Sequence, residues 1–214
     1  MRINSGVARA IAGVIALIGW VGLAVQLCAL TDQVESAAGA VWVMLRFFTI
    51  TTNVIAAVVF TGLALGRLAF RSPSLLGLMT LSILFVGVVY IVLLRGLLEL
   101  SGGAATANMI LHYIVPTLTL LFWLLFAPKG ALKWRDPVLW AVYPLVYFAY
   151  ALVRGASDGK YPYPFMDIPK VGWASALTTV GIILVAYLLV GTVFVWLGRL
   201  LDLQSETQPH ASNH

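Results

Sequence analysis

Long apolar runs alternate along this chain with short connections that hold glycine, proline or charge. A helix needs about 20 mostly apolar residues to cross a hydrocarbon core of roughly 30 Å. Six runs approach or meet that length, at about 7–30, 41–65, 75–94, 109–127, 137–153 and 171–197. The connections between them leave no room for a soluble domain. The pattern therefore predicts an all-α polytopic membrane protein: a six-transmembrane-helix bundle over residues 1–203, followed by a polar, flexible C-terminal tail at 204–214. The first run opens with basic residues, Arg2 and Arg9, as a signal peptide does. It is longer than a signal core, so it reads as a retained span.

Composition agrees with the pattern and sharpens it. Hydrophobic residues make up 61% of the 214 and charged residues 10%. Soluble domains carry about 25% charge, so this chain lacks the polar surface that water would require. A soluble enzyme, a nucleic-acid binder and a disordered protein are excluded. Cys28 is the only cysteine, which rules out an intramolecular disulfide and thiolate metal clusters. Of the histidines, His210 and His214 fall in the tail and only His112 lies within an apolar run. No metal or cofactor is expected.

The net charge of +5 reads as orientation. Arg2, Arg9, Arg67, Arg71, Lys129, Lys133, Arg135 and Arg199 fall at one end of the expected bundle. Arg46, Arg95, Arg154, Lys160 and Lys170 fall at the other, with Asp32, Glu35, Glu99, Asp158 and Asp167. The positive-inside rule then puts both termini in the cytoplasm. A bacterial plasma membrane is the expected location.

Polar groups in hydrocarbon are costly and mark sites by default. Arg46, Thr49 and Asn53 are spaced i, i+3, i+7 on the second run, one face of a continuous helix, with Thr52 beside them. Asn108, His112, Pro116 and Thr119 form a stripe on the fourth. Tyr143, Tyr147, Tyr150 and Arg154 do so on the fifth, and the third run ends with Tyr90, Arg95 and Glu99. Of these, Arg46, Thr49, Tyr90, Arg95, His112, Tyr147, Tyr150 and Arg154 map to the non-cytoplasmic half, whereas the inner halves, such as Val54–Phe60 and Leu120–Phe126, are almost purely apolar. The expectation is one polar pocket in the outer leaflet, closed to the cytoplasm. The loop Tyr161-Pro162-Tyr163-Pro164-Phe165-Met166-Asp167, stiffened by two prolines, is placed to fold over it as a lid.

A threonine hydroxyl beside a neutral imidazole is the arrangement of nucleophilic acyl transfer: the ring takes the hydroxyl proton and later returns it to the leaving group. Asn53, Arg46, Arg95 or a tyrosine would serve as oxyanion donors, and Glu99 or Asp167 would orient His112. The competing reading is structural. Threonine and histidine in membrane helices also bond to backbone carbonyls and to neighbouring helices. No Gly-x-Ser-x-Gly elbow, zinc motif or phosphate loop is present, and no carboxylate sits mid-span, which disfavours a proton-coupled transporter.

Four stretches taken together resemble a known family. Arg46-Phe47-Phe48-Thr49-Ile50-Thr51-Thr52-Asn53 is similar to the second-span motif of the androgen-induced six-span membrane proteins and their bacterial relatives, and Leu111-His112-Tyr113-Ile114-Val115-Pro116 to their fourth-span histidine motif. Tyr143-Pro144-Leu145-Val146-Tyr147 and the Tyr161–Asp167 loop resemble motifs of the bacterial branch. The resemblance implies six spans with both ends cytoplasmic. It also implies a hydrolase of fatty-acid esters of hydroxy fatty acids, with Thr49 as nucleophile (Thr52 as rival) and His112 as base. Arg46, Thr52, Asn53, Tyr90, Arg95, Tyr147, Tyr150 and Asp167 are the expected pocket residues. The expected partners are a lipid or acyl-ester substrate and the bilayer, with no nucleic acid. A non-catalytic lipid-binding or scaffold protein is the alternative reading, and a small transporter a third.

Overall fold

A computed structural model describes residue 3 and residues 5–34, 36–97 and 99–206. Arg2, Glu35, His210 and His214 lie outside the described residues. Among those described, regular structure is entirely helical. Among the described residues five helical segments are long and apolar enough to cross a membrane, or six if one bent pair counts as a single span. The protein is a multi-pass helical bundle.

Helix α1 (Gly6–Val34) buries Ala8, Ala12, Ala16, Gly19 and Gly22 along one stripe. In lipid the apolar effect does not drive helices together, and small residues allow the close backbone approach that does. A Cβ on Gly19 would sit 3.5 Å from that of Ala57 on α3 (Phe48–Ala64). Large apolar side chains point outward instead, among them Val138, Val146 and Val153 on α7 (Asp136–Asp158), and Ile182 and Leu189 on α8 (Ile168–Glu206). α8 thus runs past residue 203, where the tail was expected to begin.

The second expected span is not one helix. A short helix, α2 (Ala37–Met44), meets α3 at 97° across Leu45, Arg46 and Phe47. α2 therefore lies nearly at right angles to α3. The chain turns where Arg46 would otherwise be drawn into hydrocarbon, and Phe47 takes extended backbone before α3 begins.

Two other spans widen locally. α4 (Pro73–Val89) continues into a π-helical turn at Tyr90–Leu94. α5 (Gly102–Met109) passes through a π-helical turn at Ile110–Ile114 before α6 (Val115–Phe126). Such turns often occur at functional sites, and the second contains His112. Pro116 contributes no N–H to the carbonyl of His112, four residues earlier. Gly87 of α4 is packed so closely on that carbonyl that a Cβ there would sit 2.8 Å from the oxygen.

Candidate functional site

Thr49 occupies the first turn of α3, immediately after the bend. Its Oγ1 lies 3.1 Å from Nε2 of His112. The other ring nitrogen, Nδ1, is 3.3 Å from the backbone carbonyl of Asn108. A carbonyl can only accept, so Nδ1 carries the ring proton, and Nε2 of the neutral ring is a lone pair facing the Thr49 hydroxyl. That is the tautomer a general base requires. Neither Glu99 nor Asp167 orients the ring: Glu99 is exposed, and Asp167 pairs with Lys170 at 2.6 Å at the start of α8.

Two further residues fix the pair. Asn53, fully buried, donates from Nδ2 to the Thr49 carbonyl (2.8 Å) and to the Leu111 carbonyl (3.3 Å). It ties the turn carrying Thr49 to the turn carrying His112. Tyr90 covers the imidazole, ring centroids 4.2 Å apart, and its hydroxyl accepts from Asn108 Nδ2 at 2.8 Å. Asn108 thus touches both the imidazole and the ring that covers it.

On its other side Thr49 lines a half-open cavity of about 100 Å³. The wall is apolar: Phe48 from α3, Phe85, Val86 and Val89 from α4, Pro144 and Phe148 from α7, and Val180, Ile183, Leu184 and Tyr187 from α8. This corrects the expectation of a polar pocket. Thr49, Tyr147 and Tyr163 contribute hydroxyl-bearing side chains, Tyr187 engages its own hydroxyl with Ser82 at 2.9 Å, and the remainder suits hydrocarbon. A second hollow, bounded by Trp20, Leu27, Met44, Ile50 and Val54 under α2, carries no such group.

The loop after α7 folds back onto the first cavity. Tyr163 accepts the Phe48 N–H at its hydroxyl, 3.0 Å away, and stacks on Phe165 at a centroid distance of 5.3 Å. Burial pushes its phenol above the ordinary tyrosine range, while the neighbouring Thr49 and Tyr147 side chains and the Phe48 N–H draw it partly back. Tyr147 donates to the Arg46 carbonyl at 2.7 Å.

Arg46 and Arg154 clamp the loop from outside the cavity. Arg46 lies in the bend, not on the helical face of Thr49 and Asn53 as the spacing predicted. It pairs with Asp158 at 2.7 Å and bonds the Lys160 carbonyl. Arg154 reaches Asp158 at 3.8 Å, lies over the Trp42 ring at 3.9 Å and donates to the Tyr150 hydroxyl. Tyr150 in turn donates to the Leu45 carbonyl. These two arginines brace α2 and the bend against the end of α7.

Thr52 is also occupied elsewhere. Its hydroxyl is 2.9 Å from that of Tyr143, and it neither meets His112 nor lines the cavity. Arg95 is exposed, and among the described residues no hydrogen bond or ion pair joins its side chain to the cluster. Asn53, Thr52, Arg46 and Arg154 hold helices together, whereas Thr49, in contact with His112, is the hydroxyl that also lines the cavity. Sequence reasoning put Asn108 on the stripe of His112 and Tyr163 in the lid loop but gave neither a role of its own, and it did not foresee the α8 wall. Tyr163 was visible as a loop aromatic, but a carbonyl partner and an apolar wall leave no polar signature.

Compared with family models, curated proteins and solved structures, the chain matches none.

Proposed function

We propose that this protein is an integral membrane hydrolase of lipophilic esters, of the type that joins a fatty acid to a hydroxy fatty acid. Thr49 is the nucleophile and His112 the base. The observation that carries this reading is that one hydroxyl, 3.1 Å from an imidazole lone pair, also lines an apolar cavity. An acyl chain lying against Val86, Ile183 and Leu184 brings its ester carbonyl to Thr49.

Thr49 Oγ1 attacks the carbonyl carbon as its proton passes to Nε2 of His112. The tetrahedral intermediate collapses, the ester C–O bond breaks, and the departing alkoxide takes the proton from the imidazolium. Water, deprotonated by the same ring, then hydrolyses the acyl-threonine and releases the fatty acid. The reading fits the resemblance to the androgen-induced six-span proteins, lipid metabolism as the setting, and a bacterial plasma membrane with both termini cytoplasmic.

Detergent-solubilised protein is treated with a fluorophosphonate probe and assayed on a long-chain ester, alongside Thr49→Ala and His112→Gln. Loss of both labelling and turnover in well-folded variants is the expected result. Equal labelling of all three eliminates the hydrolase. A second reading, a lipid-binding protein whose Thr49–His112 contact is interhelical glue, rests on how many neighbouring polar groups serve that purpose. It requires both variants to lose folded yield with no activity to lose.

A further inference from the structure

The Thr49–His112 pair accounts for the nucleophile and the proton but not for the negative charge that builds on the carbonyl oxygen. In an apolar cavity that charge needs donors already in place. Arg46 and Arg154 turn their terminal nitrogens to Asp158, to the Tyr150 hydroxyl and to backbone carbonyls, Arg95 is exposed, and Asn53 directs its amide at carbonyls within the helix packing. We infer that the Tyr163 hydroxyl, delivered by the loop between α7 and α8, is the oxyanion donor of this site, assisted by the Thr49 N–H in the first turn of α3.

This inference rests on the hydrolase reading. Three observations support it. The Tyr163 side chain lines the same cavity as Thr49, and its hydroxyl sits on the N–H of Phe48, the residue immediately before Thr49. The Phe48 N–H donates to the phenol oxygen, so the O–H remains free to point elsewhere, and that donated bond strengthens it as a donor. Tyr147, the other hydroxyl nearby, gives its proton to the Arg46 carbonyl and so can accept from Tyr163 in the resting state. An arriving carbonyl displaces that acceptor. As Thr49 attacks, the C=O π pair moves onto oxygen, and the anion receives the Tyr163 O–H and the Thr49 N–H. When the pair returns and the ester C–O bond breaks, both donors are released unchanged. The helix start adds its positive end at the same point.

The Tyr161–Asp167 loop is then part of the active site, and its aromatic character has a chemical purpose beyond covering the cavity. The test is the rate of fluorophosphonate labelling and of ester turnover in Tyr163→Phe, with Thr49→Ala as the reference. Loss of one oxyanion donor lowers kcat about 10²–10³-fold, with KM little changed. A second variant carries a fluorinated tyrosine at 163, whose phenol ionises at lower pH. Its turnover should fall at a correspondingly lower pH on the alkaline side, because a phenolate cannot donate. If Tyr163→Phe does not fold, this alkaline shift decides. Turnover within about twofold of wild type in Tyr163→Phe, or an unmoved alkaline limb in the fluorotyrosine protein, overturns the inference while leaving the hydrolase standing. Labelling that survives Thr49→Ala instead removes the hydrolase itself.

Discussion

The Thr49 hydroxyl and the His112 imidazole, 63 residues apart in the chain, meet at 3.1 Å. Neither residue arranges this by itself. Asn53 spans from the Thr49 carbonyl to that of Leu111, and the π-helical turn at Ile110–Ile114 presents the ring.

Thr49→Ala should abolish ester turnover, by about 10³-fold or more, while lowering stability by only about 1 kcal/mol, the value of one hydrogen bond. Thr52→Ala should show the converse: near-native turnover and a comparable loss of stability from the Tyr143 contact. Turnover in micelles, read beside thermal melts, checks both.

Asn53→Leu removes a donor shared by two carbonyls and leaves both buried. A loss of about 1–3 kcal/mol is expected, with turnover falling further than stability alone explains. Labelling rates compared at equal folded fraction separate the two effects.

Gly87→Ala places a methyl group 2.8 Å from the His112 carbonyl. α4 must move away from the π-helical turn, at about 1–3 kcal/mol, as for other overpacked cores. Because Tyr90 moves with α4, turnover should decline as well. Gly181→Ala, at a position where an added Cβ meets nothing within 4 Å, is the control and should be silent in both assays.

Leu184→Trp fills the apolar cavity without touching the reacting pair. Turnover of long-chain esters should fall about tenfold or more, while a small fluorophosphonate still labels Thr49. Equal losses with both substrates would place the acyl chain elsewhere.

Arg46→Gln breaks the pairing with Asp158 and the bond to the Lys160 carbonyl. Amides of the Tyr161–Asp167 loop should then exchange about tenfold faster, as measured by hydrogen exchange and mass spectrometry.

The spans were legible because length and apolar composition suffice to mark a membrane helix. So was the meeting of polar residues from four helices at one end, since hydrocarbon forces such groups together. The break at 45–47 was not. Val41, Trp42, Val43 and Met44 are as apolar as the residues after the turn, and Arg46 alone signals that the chain leaves the hydrocarbon there. Spacing along a continuous helix therefore put Arg46 on the face of Thr49, where it does not lie. The partner of His112 was missed for a different reason. Charge considerations pointed to Glu99 and Asp167, but the ring is held by the carbonyl of Asn108, and every residue has a carbonyl. The α8 wall was illegible too: Ile183 and Leu184 facing a cavity read the same as Ile182 and Val185 facing lipid.

The right-angled corner between α2 and α3 would set how deep the proposed reaction lies. Thr49 follows it by two residues, so hydrolysis would take place just under the headgroups. A newly freed carboxylate would ionise and drift out among the phosphates without first traversing oil, and the water that each cycle would consume would have only a short way to descend. A reacting group at the centre of a straight span would strand its charged product in the greasiest part of the bilayer.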